Sequence, residues 1–592
     1  MARPHNGSHR SRTLARAPDT PTCQELDLSH RPPPTDRPWL EAYPTGVPAD
    51  IDTRDCPSLV ALLEDSFARY AQRTAFHCLG AHWSYREVDL ASQALAAWLQ
   101  HLGLAPGERV AVMLPNTPQY PVAVAAILRA GLVLVNVNPL YTARELQEQL
   151  QDSGAQAVVV LENFAATLES CIAHTAVRHV LLCSLGDMLG CCKGALVNTV
   201  VRHVKRLVPP FNLPQAVRWR AALRTGQHLP LHRPTIGPDD LAALQYTGGT
   251  TGTSKGAMLL HRNVVANVLQ SEAWNAPALR QVPTDETFTT VCALPLYHIF
   301  AFTVNLMLTL RVGGQAILIP NARDLDALLR ELQRHRFHLL PGVNTLFNAL
   351  LQHQHFDRVD WRSLKVTLGG GMAVQATVAQ RWLERTGCAI CEGYGLSEAS
   401  PSVSCNPVTT TVFNGSIGLP LPGTRVRIVD DQGQPLPCGQ AGEIAVQGPQ
   451  VMAGYWQQPQ ETAQALPADG WLRTGDIGVM DAQGYCTLLD RKKDVIIVSG
   501  FNVYPNEVEA VVSGMAGVLE CAAVGIPDTR CGEAVKLMVV KHDPALTVQH
   551  VRDYCQSRLT GYKQPRVIEF CPALPKNAVG KILRRALRAP PP

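Results

Sequence analysis

The feature that most constrains the fold of this 592-residue chain is an alternation of two periods between residues 109 and 161. "RVAVMLP" (109–115) reads as a buried strand, and "YPVAVAAILRAG" (120–131) as a helix ending at Gly131. "LVLVNVNP" (132–139) is the next strand. "TARELQEQLQDSG" (142–154) is a helix with Gly154 at its C′ position, and "AQAVVVL" (155–161) is a third strand. Strand–helix–strand repetition calls for a mostly parallel sheet with helices on its faces. A similar alternation returns over 291–350. Residues 415–490 change style, with short alternating pieces ("TRVRIVDDQG", "GEIAVQG", "GYCTLLDRK") between Gly and Asp turns, which suggests antiparallel or barrel-like structure. From about residue 495, "DVIIVSG", "AVVSG", "CAAVGIP" and "VKLMVVK" suggest a small α+β unit.

Composition narrows the class. Hydrophobic residues make up 46% and charged residues 17%, so a large packed core is expected and global disorder is not. The net charge of +4 is small for this length and argues against a nucleic-acid partner. Seventeen cysteines without a secretory apolar region point to reduced thiols and a cytoplasmic protein. Cys388 and Cys391 match C-x-x-C, but no second pair follows at zinc-site spacing, and a structural role is expected. Residues 1–37 are rich in Arg, Pro, Ser and Thr and read as a disordered extension. Their first 18 residues hold four Arg and no acid, as in a transit peptide, but Pro4, Gly7 and Pro18 leave little room for an amphipathic helix. The longest apolar runs, 120–137 and 304–319, are interrupted by Arg129 and Arg311, so no membrane span is expected. Residues 188–238 contain no acid but hold Lys193, Arg202, Lys205, Arg206, Arg218, Arg220, Arg224 and Arg233. Val200, Val201, Val204 and Leu207 lie among them at helical spacing. The segment reads either as a solvated helical face or as a peripheral contact with anionic membrane through 193–224, on its inner face.

"YTGGTTGTSKG" (246–256) is the first chemical signal. It is not a Walker A loop, because Ser254 precedes Lys255 and Gly256 follows it. The physics is still that of a phosphate cradle. Gly248, Gly249 and Gly252 let backbone N–H groups approach an anion. Thr247, Thr250, Thr251, Thr253 and Ser254 add hydroxyls, and Lys255 adds a charge.

Six further stretches follow in order: "LPLYHIF" (294–300), "GGGM" (369–372), "EGYGLSE" (392–398), "GWLRTGDIG" (470–478), "DRKKDVIIVSGFNVYPNEVE" (490–509) and "PKNAVGKILRR" (575–585). With the loop, they resemble the acyl-adenylating superfamily of acyl-CoA synthetases, firefly luciferases and peptide-synthetase adenylation domains. The wording from 490 onward is most similar to bacterial long-chain fatty acid–CoA ligases. The resemblance runs from about residue 38 to the end. It implies an α/β fold with a large N-terminal domain (38–490) carrying mostly parallel sheets and a distorted β-barrel subdomain. A small mobile α+β C-terminal domain (491–592) would follow, with its hinge at Lys493. The implied reaction joins fatty acid, ATP and CoA through an acyl-adenylate.

By this resemblance the loop holds the departing phosphates, and Glu398, with Thr247, binds Mg²⁺, a hard cation that prefers oxygen. Ser397 adds a hydroxyl where the family more often has Thr, and Ser254 stands where many relatives have Pro. Asp476 accepts from the ribose hydroxyls, helped by Arg491. Gly369, Gly370, Gly371, Glu392, Gly393, Tyr394 and Gly395 line the adenine and the start of the acyl pocket, which Met372 and an aromatic gate at Phe302 continue. Lys581 contacts the carboxylate and the α-phosphate. His298 matches a residue that moves between the two half-reactions, and Ser499, Gly500 and Phe501 border the CoA channel. Each buried methylene contributes about 0.8 kcal/mol, so pocket depth can select chain length. An acyl-AMP ligase serving a carrier protein, a non-catalytic acyl-binding membrane partner and a homodimer are the alternatives left open.

Overall fold

The computed structural model describes residues 37–247, 254–577 and 580–588. The expectations for residues 1–36 and for the tip of the glycine-rich loop therefore lie outside the described residues. The alternation over 109–161 forms as read, with strands Arg109–Met113, Val133–Asn136 and Ala157–Leu161 separated by helices Gln119–Arg129 and Ala143–Ser153. Thr142 and Glu145 close a reciprocal capping box at the start of the second helix. Gly154, at φ +60°, ends it in the left-handed region that glycine enters without penalty. Helix Gln119–Arg129 is buried on every face, consistent with its nearly continuous apolar sequence. Its one charge, Arg129, is held by Asp89 at 2.7 Å and Glu64 at 3.3 Å.

These strands belong to a seven-stranded sheet in the order 217–218, 179–183, 157–161, 109–113, 133–136, 241–247, 255–260. All neighbours are parallel except the last pair. A nine-stranded sheet follows, with a parallel centre from Ile390–Gly395 to Thr74–Cys78 and antiparallel strands at both edges. Chain order reverses around Thr289–Cys292, which has Gln315–Leu318 on one side and Leu339–Gly342 on the other. The carboxyl ends of strands at such a reversal are where open α/β sheets leave a crevice. The segment 415–490, expected to be antiparallel or barrel-like, contributes a four-stranded antiparallel sheet that runs from 425 to 491. From Ile496 onward a separate sheet builds around the long hairpin Val518–Asp528/Gly532–Lys541, with its own core of Val508, Val535, Leu537 and Val551.

Among the described residues no helix is long and apolar enough to cross a membrane. All cysteines among them are free, and Cys391 is buried with its thiol against the Pro407 carbonyl. Helix Trp219–Gly226, within the basic stretch, packs on helix Tyr85–His101 so closely that a Cβ on Gly226 would lie 1.8 Å from the Ala94 carbonyl oxygen. Backbone cannot yield as a flexible side chain does. Gly226→Ala is therefore expected to cost about 1–3 kcal/mol or more, as overpacking does, and to lower the urea midpoint; an unchanged midpoint would show that the two helices can separate freely.

Candidate active site

The two strands that flank the glycine-rich stretch pair with each other. Strands Leu241–Thr247 and Lys255–Leu260 pair antiparallel with Thr247 opposite Lys255, and the Ser254 hydroxyl donates to the Thr247 carbonyl at 2.7 Å. Gly248, Gly249, Thr250, Thr251, Gly252 and Thr253, between these anchors, lie outside the described residues. The Lys255 ammonium pairs with Glu461 and stands 5.3 Å from the centre of the Tyr455 ring. Tyr455 donates its hydroxyl to Glu398 at 2.7 Å. Two residues that the sequence reading did not single out, Tyr455 and Glu461, thus join the loop cation to the candidate metal ligand. Glu398 and Ser397 sit in a short turn directly after strand Ile390–Gly395, at the carboxyl edge of the nine-stranded sheet.

Asp476 is the meeting point of the site. It lies on strand Leu472–Met480, directly opposite Arg491 at the end of the neighbouring strand. Its carboxylate is almost wholly buried; one oxygen pairs with the Arg491 guanidinium at 2.8 Å, and the other accepts the Tyr394 hydroxyl at 2.6 Å. Burial without these partners would be strongly unfavourable. Lys493 lies two residues beyond Arg491, exposed in the turn that leaves this sheet, and partial burial of its ammonium lowers its pKa.

Lys581 is brought to this cluster by the C-terminal segment. The Asn577 amide donates to the Lys581 carbonyl, the Lys581 amide donates to the Asn577 side chain, both at 2.9 Å, and Lys576 bridges Ile582. Gly580 has φ +86°, and a Cβ there would lie 2.6 Å from the Thr345 hydroxyl of the large domain. Arg584 locks the segment from the other side, pairing with buried Asp490 at 3.1 Å and Glu509 at 2.9 Å and donating to the Asn506 side chain at 2.6 Å. Lys581 is exposed in part, yet many protein atoms surround its ammonium. Burial first, and the Arg491 charge second, bring its pKa down to about 8. His298 feels the same field: burial and the Lys581 charge lower its pKa to about 4, so its imidazole is neutral near pH 7.

Beside the cluster lies a largely apolar cavity lined by Trp274, His298, Phe300, Val304, Gly370 and Tyr394, among others. Gly371, Gly393, Gly395 and Ser397 also border it. Gly370 leaves room for Phe300, whose ring a Cβ would meet at 3.1 Å. Phe302 does not occupy the place expected of a gate. It is completely buried in the core, because residues 300 and 304 share the cavity face of their helix and 302 points away. Met372 is half-buried against the core and also stays off the cavity wall. Gly369 serves packing, since a Cβ there would strike Val374 at 2.7 Å and Ile390 at 2.9 Å. Glu392 is buried with Oε1 accepting from the Val374 amide at 3.0 Å, and burial raises its pKa to about 8, which favours the neutral acid. Ser499 and Gly500, both at positive φ, form the two-residue turn of the hairpin that carries Phe501. Phe501 is exposed and stacks on Tyr562 at 4.8 Å. Among the described residues no hydrogen bond, ion pair or ring contact links this turn to the Asp476 cluster.

A model of the AMP-binding enzyme family matches residues 63–456, and one of the AMP-binding enzyme C-terminal domain matches 507–581. The chain belongs to the AMP-binding enzyme family. It is 52% identical over 551 residues to a long-chain-fatty-acid–CoA ligase of Escherichia coli O6:H1, covering 93% of this chain and 97% of that one. A long-chain-fatty-acid–CoA ligase of Bacillus subtilis is 37% identical over 556 residues, with the same coverage. Among solved structures, the anthranilate CoA ligase AuaEII in complex with anthranoyl-AMP superposes with a TM-score of 0.80 at 25% identity, covering 91% of this chain and 98% of that one. ATP-bound MatB from Rhodopseudomonas palustris gives 0.74 at 30% identity, covering 90% and 98%.

The Lys581 ammonium of this AMP-binding enzyme is charged below about pH 8 and loses its proton as the pH rises through that value. Acid-dependent ATP–pyrophosphate exchange, read as kcat/KM for the free enzyme, is expected to fall above about pH 8. A profile flat to about pH 9.5 would mean that this charge does not govern the step.

Proposed function

We infer that the chain is an ATP-dependent, AMP-forming long-chain fatty acid–CoA ligase, converting fatty acid, ATP and CoA to acyl-CoA, AMP and pyrophosphate. The observation that carries this reading is the convergence of Lys581, Asp476 and Arg491 beside an apolar cavity. A carboxylate is a poor electrophile, and transfer to the α-phosphorus gives an acyl-adenylate whose AMP departs readily. Lys581, projecting from its locked loop, would hold the carboxylate against the α-phosphate and stabilise the negative charge that develops there. Asp476 would take the ribose hydroxyls on its remaining lone pairs, since an ionised carboxylate offers about four acceptor sites. Tyr394 and the strand-end glycines would receive the adenine. The glycine-rich stretch with Lys255 would hold the β- and γ-phosphates.

Glu398 and the Thr247 hydroxyl are hard oxygen donors and suit Mg²⁺, whose bound charge would offset that of the triphosphate. Glu398 is fixed for this by the Tyr455 hydroxyl. For the second half-reaction the C-terminal domain would turn about Lys493. That would withdraw Lys581 and bring Ser499, Gly500 and Phe501 toward the incoming thiol. His298, neutral near pH 7, lines the cavity within range of Lys581 and can act there only as a neutral base or hydrogen-bond partner.

Lys581→Ala is expected to slow adenylate formation by about 10²–10³, the loss typical of an oxyanion donor, and largely to spare thioester formation from supplied acyl-AMP. Acyl-CoA production across a chain-length series is the parallel assay, with long-chain acids preferred. Equal loss in both half-reactions would refute this division of labour.

The peripheral membrane contact takes a more specific form. Arg202 does not face solvent freely as the charge run suggested, because it pairs with Glu162 at 2.7 Å and donates to Ser184 at 2.9 Å. Arg218 shares Glu162, and Arg220 stands 3.6 Å from Asp187. What remains outward is Leu196, Val204 and Leu207, each more than half exposed, with Lys193, Lys205 and Arg206 beside them. We propose that this patch lies on anionic lipid. Replacing Lys193, Lys205 and Arg206 together by Gln is expected to lower sedimentation with anionic liposomes; unchanged sedimentation would sink the idea.

A further inference from the structure

We propose that Asp326, His353 and His355 form a surface site for a divalent transition-metal ion of the zinc type, separate from the nucleotide site. Asp326 sits in the first turn of helix Leu325–Arg334, His353 directly follows helix Asn344–Gln352, and His355 opens the turn Phe356–Arg358. His353 Nε2 and His355 Nδ1 each stand 3.4 Å from the same Asp326 oxygen, Oδ1. One ligand atom from each of the three residues falls within 4.8 Å of the others.

The distances carry the chemistry. A charge-assisted hydrogen bond between nitrogen and carboxylate is about 2.7–2.9 Å, so 3.4 Å is long for one. Zinc bonds of about 2.0–2.1 Å in a tetrahedron, by contrast, place neighbouring ligand atoms roughly 3.3–3.4 Å apart. Both nitrogen–oxygen separations are compatible with ligands around an ion, and the two nitrogens lie within 4.8 Å of each other. Two imidazoles and one carboxylate select zinc, nickel, cobalt or copper over magnesium or calcium. The side chains retain 16%, 29% and 55% exposure for His353, His355 and Asp326, leaving an open side for a water in the remaining position.

The scaffold is rigid enough to hold the set. Phe356, next to His355, is completely buried and stacks on Trp361 at 4.7 Å, with Trp382 edge-on at 5.7 Å. The Phe356 amide donates to the His353 carbonyl at 3.0 Å and the Arg358 amide to the His355 carbonyl at 3.2 Å. One local bond must yield. The His355 amide donates to His353 Nδ1 at 3.2 Å, which places the ring proton on Nε2. Coordination through Nε2 moves that proton to Nδ1 and gives up this bond. Acid opposes binding for the same reason that it opposes any imidazole ligation. The site would tie the start of one helix to the end of another. The second helix begins beside Thr345, which meets Gly580, roughly 12 Å away at 1.5 Å per residue.

The test uses tag-free full-length protein with Cys23, Cys191, Cys192 and Cys438 replaced by Ser, treated with chelator and titrated with zinc by calorimetry in excess magnesium. One equivalent is expected, with a zinc-dependent rise in melting temperature. His353→Gln/His355→Gln should weaken binding by about tenfold or more and abolish the rise, read against the variant's own metal-free melting temperature. Asp326→Asn should weaken binding while leaving both histidines in place. Absence of a zinc equivalent in the starting protein, or its retention at full affinity in the double variant, would overturn the proposal.

Discussion

The buried carboxylate of Asp476 is the interaction on which the rest of the site depends. It stands on the antiparallel sheet, yet one oxygen holds Tyr394 from the nine-stranded sheet and the other holds Arg491 at the exit toward the C-terminal domain. A carboxylate this buried cannot be left unpaired, since loss of one partner of a buried pair typically costs about 3–5 kcal/mol. The three contributing strands are therefore not independently placed. The position of Asp476 fixes where Tyr394 presents its ring and where the chain turns toward Lys493.

A second buried acid makes the same kind of joint one strand-end away. Asp490 is fully buried, accepts from the Asn506 amide at 2.8 Å and pairs with Arg584 at 3.1 Å. Arg584 lies three residues after Lys581, so the clamp that satisfies Asp490 also sets where Lys581 can reach. Reach alone would leave an ordinary lysine. The low pKa of Lys581 comes from position, through desolvation by the surrounding protein first and the charge of Arg491 second. Geometry and electrostatics both follow from the docking of this segment, clamped by Arg584 on Asp490 and seated by Gly580 against Thr345.

Much of this was legible before any coordinates. The alternating periods specified parallel sheets, and the ordered glycine-rich and acidic motifs fell at the carboxyl ends of strands where such sheets bind ligands. What escaped the reading did so for identifiable reasons. Phe302 and Phe300 differ only in helical phase, and an all-apolar helix carries no amphipathic stripe to show which face meets a cavity. Arg202 stood in a run without acids, but Glu162, distant in sequence, neutralises it. Tyr455 and Glu461 touch Lys255 across the fold, and nothing local marks either as a partner. His353 and His355 are close in sequence, but their common ligand partner Asp326 is supplied by another helix. In each case tertiary proximity, invisible to periodicity, decided the role.

The charge balance around Lys581 bears on how the docked arrangement could be reversed. Arg491 is paired with Asp476, Arg584 with Asp490 and Glu509, and Arg588 with Asp494. Among the described residues no carboxylate stands within ion-pair distance of the Lys581 ammonium; Arg491, Arg584 and Lys493 oppose its charge, and Asp476 favours it from further off. Two unit charges about 4 Å apart interact by roughly 4 kcal/mol at an effective dielectric near 20, so an anion at this position changes the balance substantially. On the proposed reading the nucleotide supplies that anion. Docking of Lys581 is then favoured while the triphosphate is present and weakened once pyrophosphate has carried most of the negative charge away. A ligand shifts such an equilibrium only by its difference in affinity for the two states. Here that difference resides in the Lys581 ammonium, which has no carboxylate at ion-pair distance while the neighbouring arginines are paired.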